Sequence, residues 1–512
     1  LAKSDAKKAE ILSGVIKREK SYGYFLSNFL EKLNNIELAK DLENIFEKIM
    51  QCKEKSDDIS INKNFPMLRE YQKIGVQWLL FLRKLGMGGI LADDMGLGKT
   101  LQIISYLSAI KEKTGLKLII VPKTLMYNWR NEFKKFAPEL NVNIVEGKAP
   151  IRKEIVENSK SGDILISTYG FLVKDEEFYK DIFIDTLIID EAQNIKNFLS
   201  RTADSVKKIK AGIRIALTGT PIENNTLELW SIFDFVFPGY LGKHTKFLNK
   251  YNENLKDLRE MIAPFILRRL KREVLKELPD KIETDIIVEL GEDEKKLYLA
   301  YLEKCKKELR EKNNSLEIFV WLTRLRQLCN HPKLFLADYD GESSKLEALL
   351  ELLEECKSGG HRVLLFSQFT EMLSIIKENI PKDMTYLYLD GKTKSEHRME
   401  LVERFNSGEG DIFIISLKAG GSGLNLTGAD TVIHFDPWWN SSVENQATDR
   451  AYRMGQTKNV NVFKMIAKGT IEEKINIIKD EKEKLIREIL DEKQENIISM
   501  TKKDILELLS VK

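Results

Sequence analysis

Cysteine is scarce in this chain: four in 512 residues, Cys52, Cys305, Cys329 and Cys356, with no C-x-x-C spacing. That argues against a disulfide framework or a cysteine-built metal module and fits a reducing, intracellular setting. Cys329 and His331 together are two ligands without a partner pair, which does not close a zinc site. Eleven prolines and 29 glycines are too few for a linker-rich or collagen-like chain. No run approaches 18 consecutive apolar residues, so no membrane-spanning helix is predicted. Neither sign of charge dominates, since 81 Lys and Arg stand against 79 Asp and Glu. The chain is therefore not a polycation, and any nucleic-acid contact must come from a local patch. What is present is 43% hydrophobic residues, enough for more than one core, and a length that implies about three units. The chain opens on Leu1 rather than Met, so a longer protein with an upstream part is expected.

Apolar residues recur at helical spacing between Ile11 and Met50, which predicts a helical N-terminal segment over residues 1–64. Beyond it, short β-branched runs without alternation stand at Leu118–Val121, Ile164–Ser167, Leu187–Ile189 and Ile213–Leu217. The same texture returns at Val363–Phe366, Tyr386–Leu389, Ile412–Ile415, Val432–Phe435 and Val460–Met465. Strands buried on both faces look like this, so the fold class is α/β, with two tandem units built on parallel sheets flanked by helices. The predicted limits are 65–285 and 286–470, with a charge-rich helical stretch from about Leu290 to Leu353 and an amphipathic helical tail over 471–512.

The segment Gly88–Thr100 ends as a phosphate-binding loop ends, in Gly96-Leu97-Gly98-Lys99-Thr100, and helix-like residues follow. Backbone amides and the helix N-terminus would close on phosphate oxygens, Lys99 would add a full charge, and the Thr100 hydroxyl would serve Mg²⁺. The strict pattern has Gly where this chain has Asp93. An apolar strand then delivers Asp190-Glu191-Ala192-Gln193 to its end, a pattern that suits one acid on the metal and one on the attacking water. A third strand ends in Thr218-Gly219-Thr220-Pro221, where hydroxyls could sense a γ-phosphate. In the second unit a glycine-rich turn spans Ser416–Leu426, and Arg450 and Arg453, read as i and i+3 on a helix, would share a face as arginine fingers. The basic run Arg268–Lys276 faces DNA, braces the lobes, or is a salt-bridged helix face.

The order and wording of these segments resemble the Swi/Snf branch of superfamily 2 helicase-like DNA-dependent ATPases, in a prokaryotic-type form. The resemblance covers about Leu68 to Lys474. It includes Leu68-Arg69-Glu70-Tyr71-Gln72, Val121-Pro122-Lys123-Thr124-Leu125 with Trp129, Ser167-Thr168-Tyr169, Ile266–Lys271, Leu325–Pro332, Phe366–Phe369 and Asp436-Pro437-Trp438-Trp439-Asn440. Gln193 departs from it, because many relatives carry His there; Gln keeps a hydrogen-bonding amide, suited to coupling with the Thr218–Thr220 turn, but cannot titrate.

The resemblance implies two RecA-like lobes with helical insertions, ATP as substrate and Mg²⁺ as cofactor. Gln72 would read the adenine, and Asp94, Met95, Gly96, Leu97, Gly98, Lys99, Thr100, Gln193 and Gly423 would line the nucleotide. Thr100 and Asp190 would hold Mg²⁺, while Lys99, Asp190, Glu191, Arg450 and Arg453 would carry the catalysis. Lys123, Thr168, Lys418, Gly420, Gly421, Asn425 and Trp439 would meet double-stranded DNA, mostly at phosphate, since a motor must be indifferent to sequence. The implied protein is a monomeric duplex translocase that remodels or displaces protein–DNA complexes, with RNA polymerase or other DNA-bound proteins as partners, in the prokaryotic cytoplasm at the nucleoid. A strand-separating helicase and a nucleotide-gated binding protein with little turnover are the alternatives.

Overall fold

The structure is a computed structural model describing residues 65–110, 115–219, 226–251, 262–275, 278–311, 315–336, 338–420 and 424–477, together with 51, 258–259 and 479. The helical readings for the N-terminal segment and for most of the C-terminal tail fall outside the described residues; of that tail, 471–477 are helical. The chain divides into two compact units, with the first ending at Val274 and the second beginning at Leu275.

In the first unit, helix α1 (Glu70–Lys84) precedes β1 (Gly89–Leu91) and α2 (Lys99–Ala109). Then come β2 (Leu116–Val121), a 3₁₀ turn at Lys123–Leu125, α3 (Met126–Phe136), β3 (Val142–Ile144), α4 (Ala149–Glu157), β4 (Ile164–Thr168) and α5 (Tyr169–Lys174). The unit is completed by β5 (Ile184–Ile189), α6 (Arg201–Lys208), β6 (Ala211–Leu217), α7 (Thr226–Val236), α8 (His244–Tyr251), β7 (Ile266–Leu267) and α9 (Lys271–Val274). The sheet order is β3-β4-β2-β5-β6-β1-β7, and every pairing is parallel. Every residue of β2 and β4 is buried, because helices cover both faces; this is why their sequences do not alternate. In a parallel sheet all carboxyl ends share one edge, so the segments after β1, β2, β4, β5 and β6 are brought together there.

The second unit opens with β8 (Lys281–Val288), followed by α10 (Glu292–Glu311), α11 (Ser315–Asn330) and α12 (Ser344–Ser358). It continues through β9 (Val363–Ser367), α13 (Thr370–Asn379), β10 (Tyr386–Leu389), α14 (Ser395–Asn406), β11 (Ile412–Ser416), α15 (Leu417–Gly420), β12 (Thr431–His434), α16 (Ser441–Thr448) and β13 (Val460–Ala467). Its parallel sheet runs β10-β11-β9-β12-β13-β8. One apolar core forms around Phe366, Phe405 and Phe413, and a second around Leu349, Leu365 and Ile433. A third sits between α10 and α11, where Tyr298, Leu325 and Trp321 meet Ile471 and Ile475 at the start of the C-terminal helix.

The boundary falls before the expected 285/286 position. The reason is β8, whose eight residues pair in register with Val460–Ala467, so a cut at 285 would divide one strand. β8 lies at the sheet edge and is mostly exposed, and its polar residues conceal a strand that a search for buried apolar runs passes over.

Candidate nucleotide site at the strand ends

The loop after β1 is shaped by two glycines with left-handed backbone, Gly96 at φ 81° and Gly98 at φ 74°. Gly98 is the residue from which α2 starts, and a side chain there would strain the turn that aims the first amides of the helix. Lys99 Nζ lies inside the loop, donating to the Asp93 carbonyl at 2.6 Å and the Asp94 carbonyl at 3.3 Å. Gln72 is buried, and its amide donates to the Leu97 carbonyl at 3.1 Å while its Oε1 accepts from Arg69 N at 2.9 Å. Tyr71 reaches the same carbonyl through its hydroxyl at 3.2 Å. The residue expected to read adenine is thus also a brace of the loop.

Asp93, the departure from the strict loop pattern, is fully buried and has a structural task. Its Oδ1 accepts from Arg269 Nε at 2.8 Å and its Oδ2 from Arg269 Nη2 and from Gln102 Nε2, the last at 3.0 Å. Arg269 Nη1 donates to the Tyr71 carbonyl, and Asp94 N donates to the Arg269 carbonyl at 3.0 Å. The chain just after β7 therefore clamps the phosphate-loop segment from beneath. Within the basic run Arg268–Lys276, Arg269 is turned inward to this clamp and Lys271 is buried, so these two do not belong to an exposed basic face.

Asp190 and Glu191 follow β5. Asp190 is buried; its Oδ2 accepts from the Trp129 indole at 2.8 Å and its Oδ1 from Glu191 N at 2.9 Å. Its carbonyl accepts from the Tyr169 hydroxyl at 2.7 Å. Burial first, and then the Glu191 charge, raise the Asp190 carboxyl above the usual carboxylate range, with the Trp129 hydrogen bond and the Lys99 charge opposing. A carboxylate so placed, with lone pairs left on both oxygens, suits a divalent cation whose charge offsets the cost of burying it; Thr100 supplies a hydroxyl on the loop. Burial and the charges of Asp190 and Glu191 also hold the Tyr169 phenol far above its ordinary pKa, so it stays a donor.

Glu191 has left-handed backbone at φ 53°, alone in this among the described non-glycine residues. That strain turns its side chain toward Gln193, whose Nε2 donates to Glu191 Oε2 at 2.8 Å. Thr218, fully buried at the end of β6, donates to Gln193 Oε1 at 3.1 Å, so an amide bridge joins the second acid to the third strand end. Thr220 lies outside the described residues.

In the second unit the expectation for the arginines needs correction. Helix α16 stops at Thr448, and Arg450 and Arg453 lie beyond it in consecutive turns, so they do not share a helix face. What brings them together is the segment after β11: Arg450 Nε donates to the Gly420 carbonyl at 3.0 Å and Arg453 Nη1 to the Leu424 carbonyl at 3.3 Å. Leu426 N returns a bond to the Arg450 carbonyl at 3.0 Å. Gly421 and Gly423 fall outside the described residues.

Of the other residues expected on DNA, Lys123, Lys418 and Asn425 are exposed, while Gly420 is buried. Thr168 is buried too, and its hydroxyl accepts from Phe171 N at 3.2 Å, capping α5. Trp439 is half-buried, 6.0 Å from the Arg326 guanidinium. Arg326 and Asp436 explain three of the resembling segments at once. Buried Arg326 donates to the Pro437 carbonyl at 2.7 Å and to Asp436 at 3.3 Å, and Asp436 also accepts from Ser367 Oγ and from Gln368 N at 3.1 Å.

Comparison with known proteins gives the family. The SNF2-related domain family matches residues 71–334, a little over half of the chain, and the helicase conserved C-terminal domain matches residues 344–455. The chain belongs to the SNF2 family of helicase-like ATPases. An ATP-dependent helicase of Mycoplasma pneumoniae, itself uncharacterized, is 40% identical over 94% of this chain and 49% of its own length. The ISWI chromatin-remodeling complex ATPase ISW2 of Saccharomyces cerevisiae is 36% identical over 80% of this chain and 39% of its own length. Among solved structures, the Sulfolobus solfataricus SWI2/SNF2 ATPase core in complex with dsDNA is 37% identical, with a TM-score of 0.41, over 83% of this chain and 92% of that one. The chain spans about half the length of the bacterial relatives it matches. Two residues that hold Asp190 carry no role in the sequence reading, Trp129 and Tyr169, and Arg269 is read there only as part of a basic run and not as the partner of Asp93. Their segments were visible as resemblance, but a hydrogen bond across the sheet leaves no local pattern.

Proposed function

We propose that this chain is the motor core of an enzyme that hydrolyses ATP to ADP and phosphate when duplex DNA is bound, and that it steps along the duplex to displace or remodel DNA-bound proteins. The observation that carries this reading is the set of groups gathered at the ends of β1, β5 and β6: Lys99 in its loop, the Asp190-Glu191 pair, and the Gln193 bridge to Thr218. Loop amides and Lys99 would hold the β- and γ-phosphates, and Gln72 the adenine. Thr100 and Asp190 would hold Mg²⁺, which when bound neutralises charge on the phosphate oxygens.

Glu191 would orient a water for in-line attack on the γ-phosphorus and accept its proton as the bond to the β-phosphate oxygen breaks. Gln193 and Thr218 keep the Glu191 carboxylate in one orientation through that step. Arg450 and Arg453 are the candidates to bring positive charge to the developing phosphate charge. Exposed Lys123, Lys418 and Asn425 are the first candidates for DNA phosphate contacts. The relative named a chromatin-remodeling complex ATPase supports a motor that works on DNA.

The test is steady-state ATP hydrolysis with no nucleic acid, single-stranded DNA, duplex DNA and duplex RNA, at two salt concentrations, with Glu191→Gln as the blank. Strong stimulation by duplex DNA that weakens with salt is the expected result. Equal rates in all four would remove DNA as the track, and a Lys99→Ala variant with normal turnover would remove the nucleotide site.

A further inference from the structure

β4, β2 and β5 are immediate neighbours in the first sheet. Their carboxyl ends lead into Thr168 and Tyr169, into the 3₁₀ turn at Lys123, and into Asp190 respectively. The turn Lys123–Leu125 runs without a break into α3, and Trp129 is the fourth residue of that helix. Lys123 is exposed, whereas Trp129 is buried against Phe133 and its one polar atom is spent on Asp190 Oδ2. On the other side Thr168 caps α5, and the next residue, Tyr169, gives its hydroxyl to the Asp190 carbonyl. Both segments expected on the track, the exposed Lys123 turn and the buried Thr168, are thus wired to one acid, one through its carboxylate and one through its backbone. Asp190 N completes the tie by donating to the Ile120 carbonyl of β2 at 2.8 Å. The other carboxylate of the pair, on Glu191, accepts from Gln193 instead, so it is held from the β6 side.

We propose that Trp129 and Tyr169 are positioning residues through which engagement of a polyanionic duplex at Lys123 and Thr168 sets the placement of Asp190, so that the two hydrogen bonds carry the stimulation of ATP turnover by the track. The inference rests on the function proposed above. A phosphate drawn to Lys123 moves the 3₁₀ turn and with it the first turn of α3. A phosphate that accepts from the Thr168 hydroxyl draws that oxygen and, through the Phe171 amide that donates to it, moves the start of α5. Either motion reaches Asp190 through a bond of 2.7 to 2.8 Å, and a packed interior passes small shifts on rather than absorbing them. Pull on the carboxylate and pull on the carbonyl act on opposite sides of the Asp190 Cα, so the side chain is turned as well as shifted.

The experiment uses the full 512-residue chain with Trp129→Phe and Tyr169→Phe, which keep an aromatic ring and delete the donor. The readouts are ATP turnover with and without duplex DNA, the KM for ATP, and the Kd for duplex DNA. In Trp129→Phe the DNA-stimulated kcat should fall about tenfold further than the unstimulated kcat, the scale of losing one hydrogen bond to a charged group, and in Tyr169→Phe about fivefold further, the scale of losing one to a neutral carbonyl. DNA affinity should stay within about twofold, since neither residue meets DNA. Pairing Lys123→Ala with Trp129→Phe should add little further loss, because both cut the same connection.

Stimulated and unstimulated rates falling by equal factors would overturn the proposal, leaving the two bonds as supports indifferent to DNA. Unchanged stimulation in Tyr169→Phe, the milder of the two replacements, would overturn its half even if Trp129→Phe fails to fold. A wild-type chain that duplex DNA does not stimulate would overturn the parent reading and this one together, whereas a stimulated wild type with stimulated variants overturns this one alone.

Discussion

The clamp beneath the phosphate loop makes a quantitative prediction. Arg269→Gln removes two donors from the Asp93 carboxylate and one from Gln102 Oε1, leaving a fully buried carboxylate held by Gln102 Nε2 at 3.0 Å. Stripping one partner from a buried ion pair costs about 3–5 kcal/mol, because the remaining charge stays desolvated. In a unit of about 150–250 residues each kcal/mol moves Tm by roughly 2–4 °C, so the transition of the first lobe should fall by about 6–20 °C. Scanning calorimetry of the full chain is the assay, with Asp93→Asn and the double variant alongside. The double variant should recover part of the loss, since it leaves no bare charge, and the coupling should exceed about 1 kcal/mol. Because Asp93 and Asp94 also present the carbonyls that hold Lys99, nucleotide affinity should weaken in the single variant. Shifts under about 3 °C for Arg269→Gln, or a double variant equal to the sum of the singles, would show that the clamp does not support the loop.

Two predictions concern the second lobe. Lys345 is fully buried, donating to both Glu472 oxygens at 2.8 and 2.7 Å, so Lys345→Met should cost about 3–5 kcal/mol and free the start of the C-terminal helix. Limited proteolysis near residue 472 should then accelerate, and adding Glu472→Leu should reverse most of the change; equal cleavage in all forms would refute it. His434 is buried against Thr448, 2.9 Å away, and burial lowers its pKa from 6.5 to about 3. The unfolded imidazole takes a proton below pH 6.5 while the folded one does not, so this group's contribution is intact above pH 6.5 and lost as pH falls from there toward 3. At pH 5 the loss is roughly 2 kcal/mol, and His434→Gln should flatten the dependence of Tm on pH between 7.5 and 5. An unchanged slope in that variant would exclude His434 as its source.

Much was legible in the chain itself. The unalternating runs of β2, β4, β5, β9 and β11 announced parallel strands covered on both faces, because burial on two sides selects apolar residues at every position. The Gly96-Leu97-Gly98-Lys99-Thr100 loop and the acids after β5 were legible because their chemistry demands fixed spacing along one stretch of backbone. An amide at 193 in place of an imidazole was readable as a non-titrating coupling group.

Tertiary structure decided what depends on neighbours in space. It gave Asp93 its partner 176 residues away in Arg269, and it ended α16 at Thr448, so that Arg450 and Arg453 converge on the chain after β11 rather than along a helix. It assigned the half-polar β8 to the second sheet, since strand pairing can satisfy a backbone whatever its side chains. It also bound Trp129 and Tyr169 to Asp190. Local patterns record how a residue must face along its own element; which element lies across from it is set by the packing of the whole sheet, and hydrogen bonds between strand ends are written there alone.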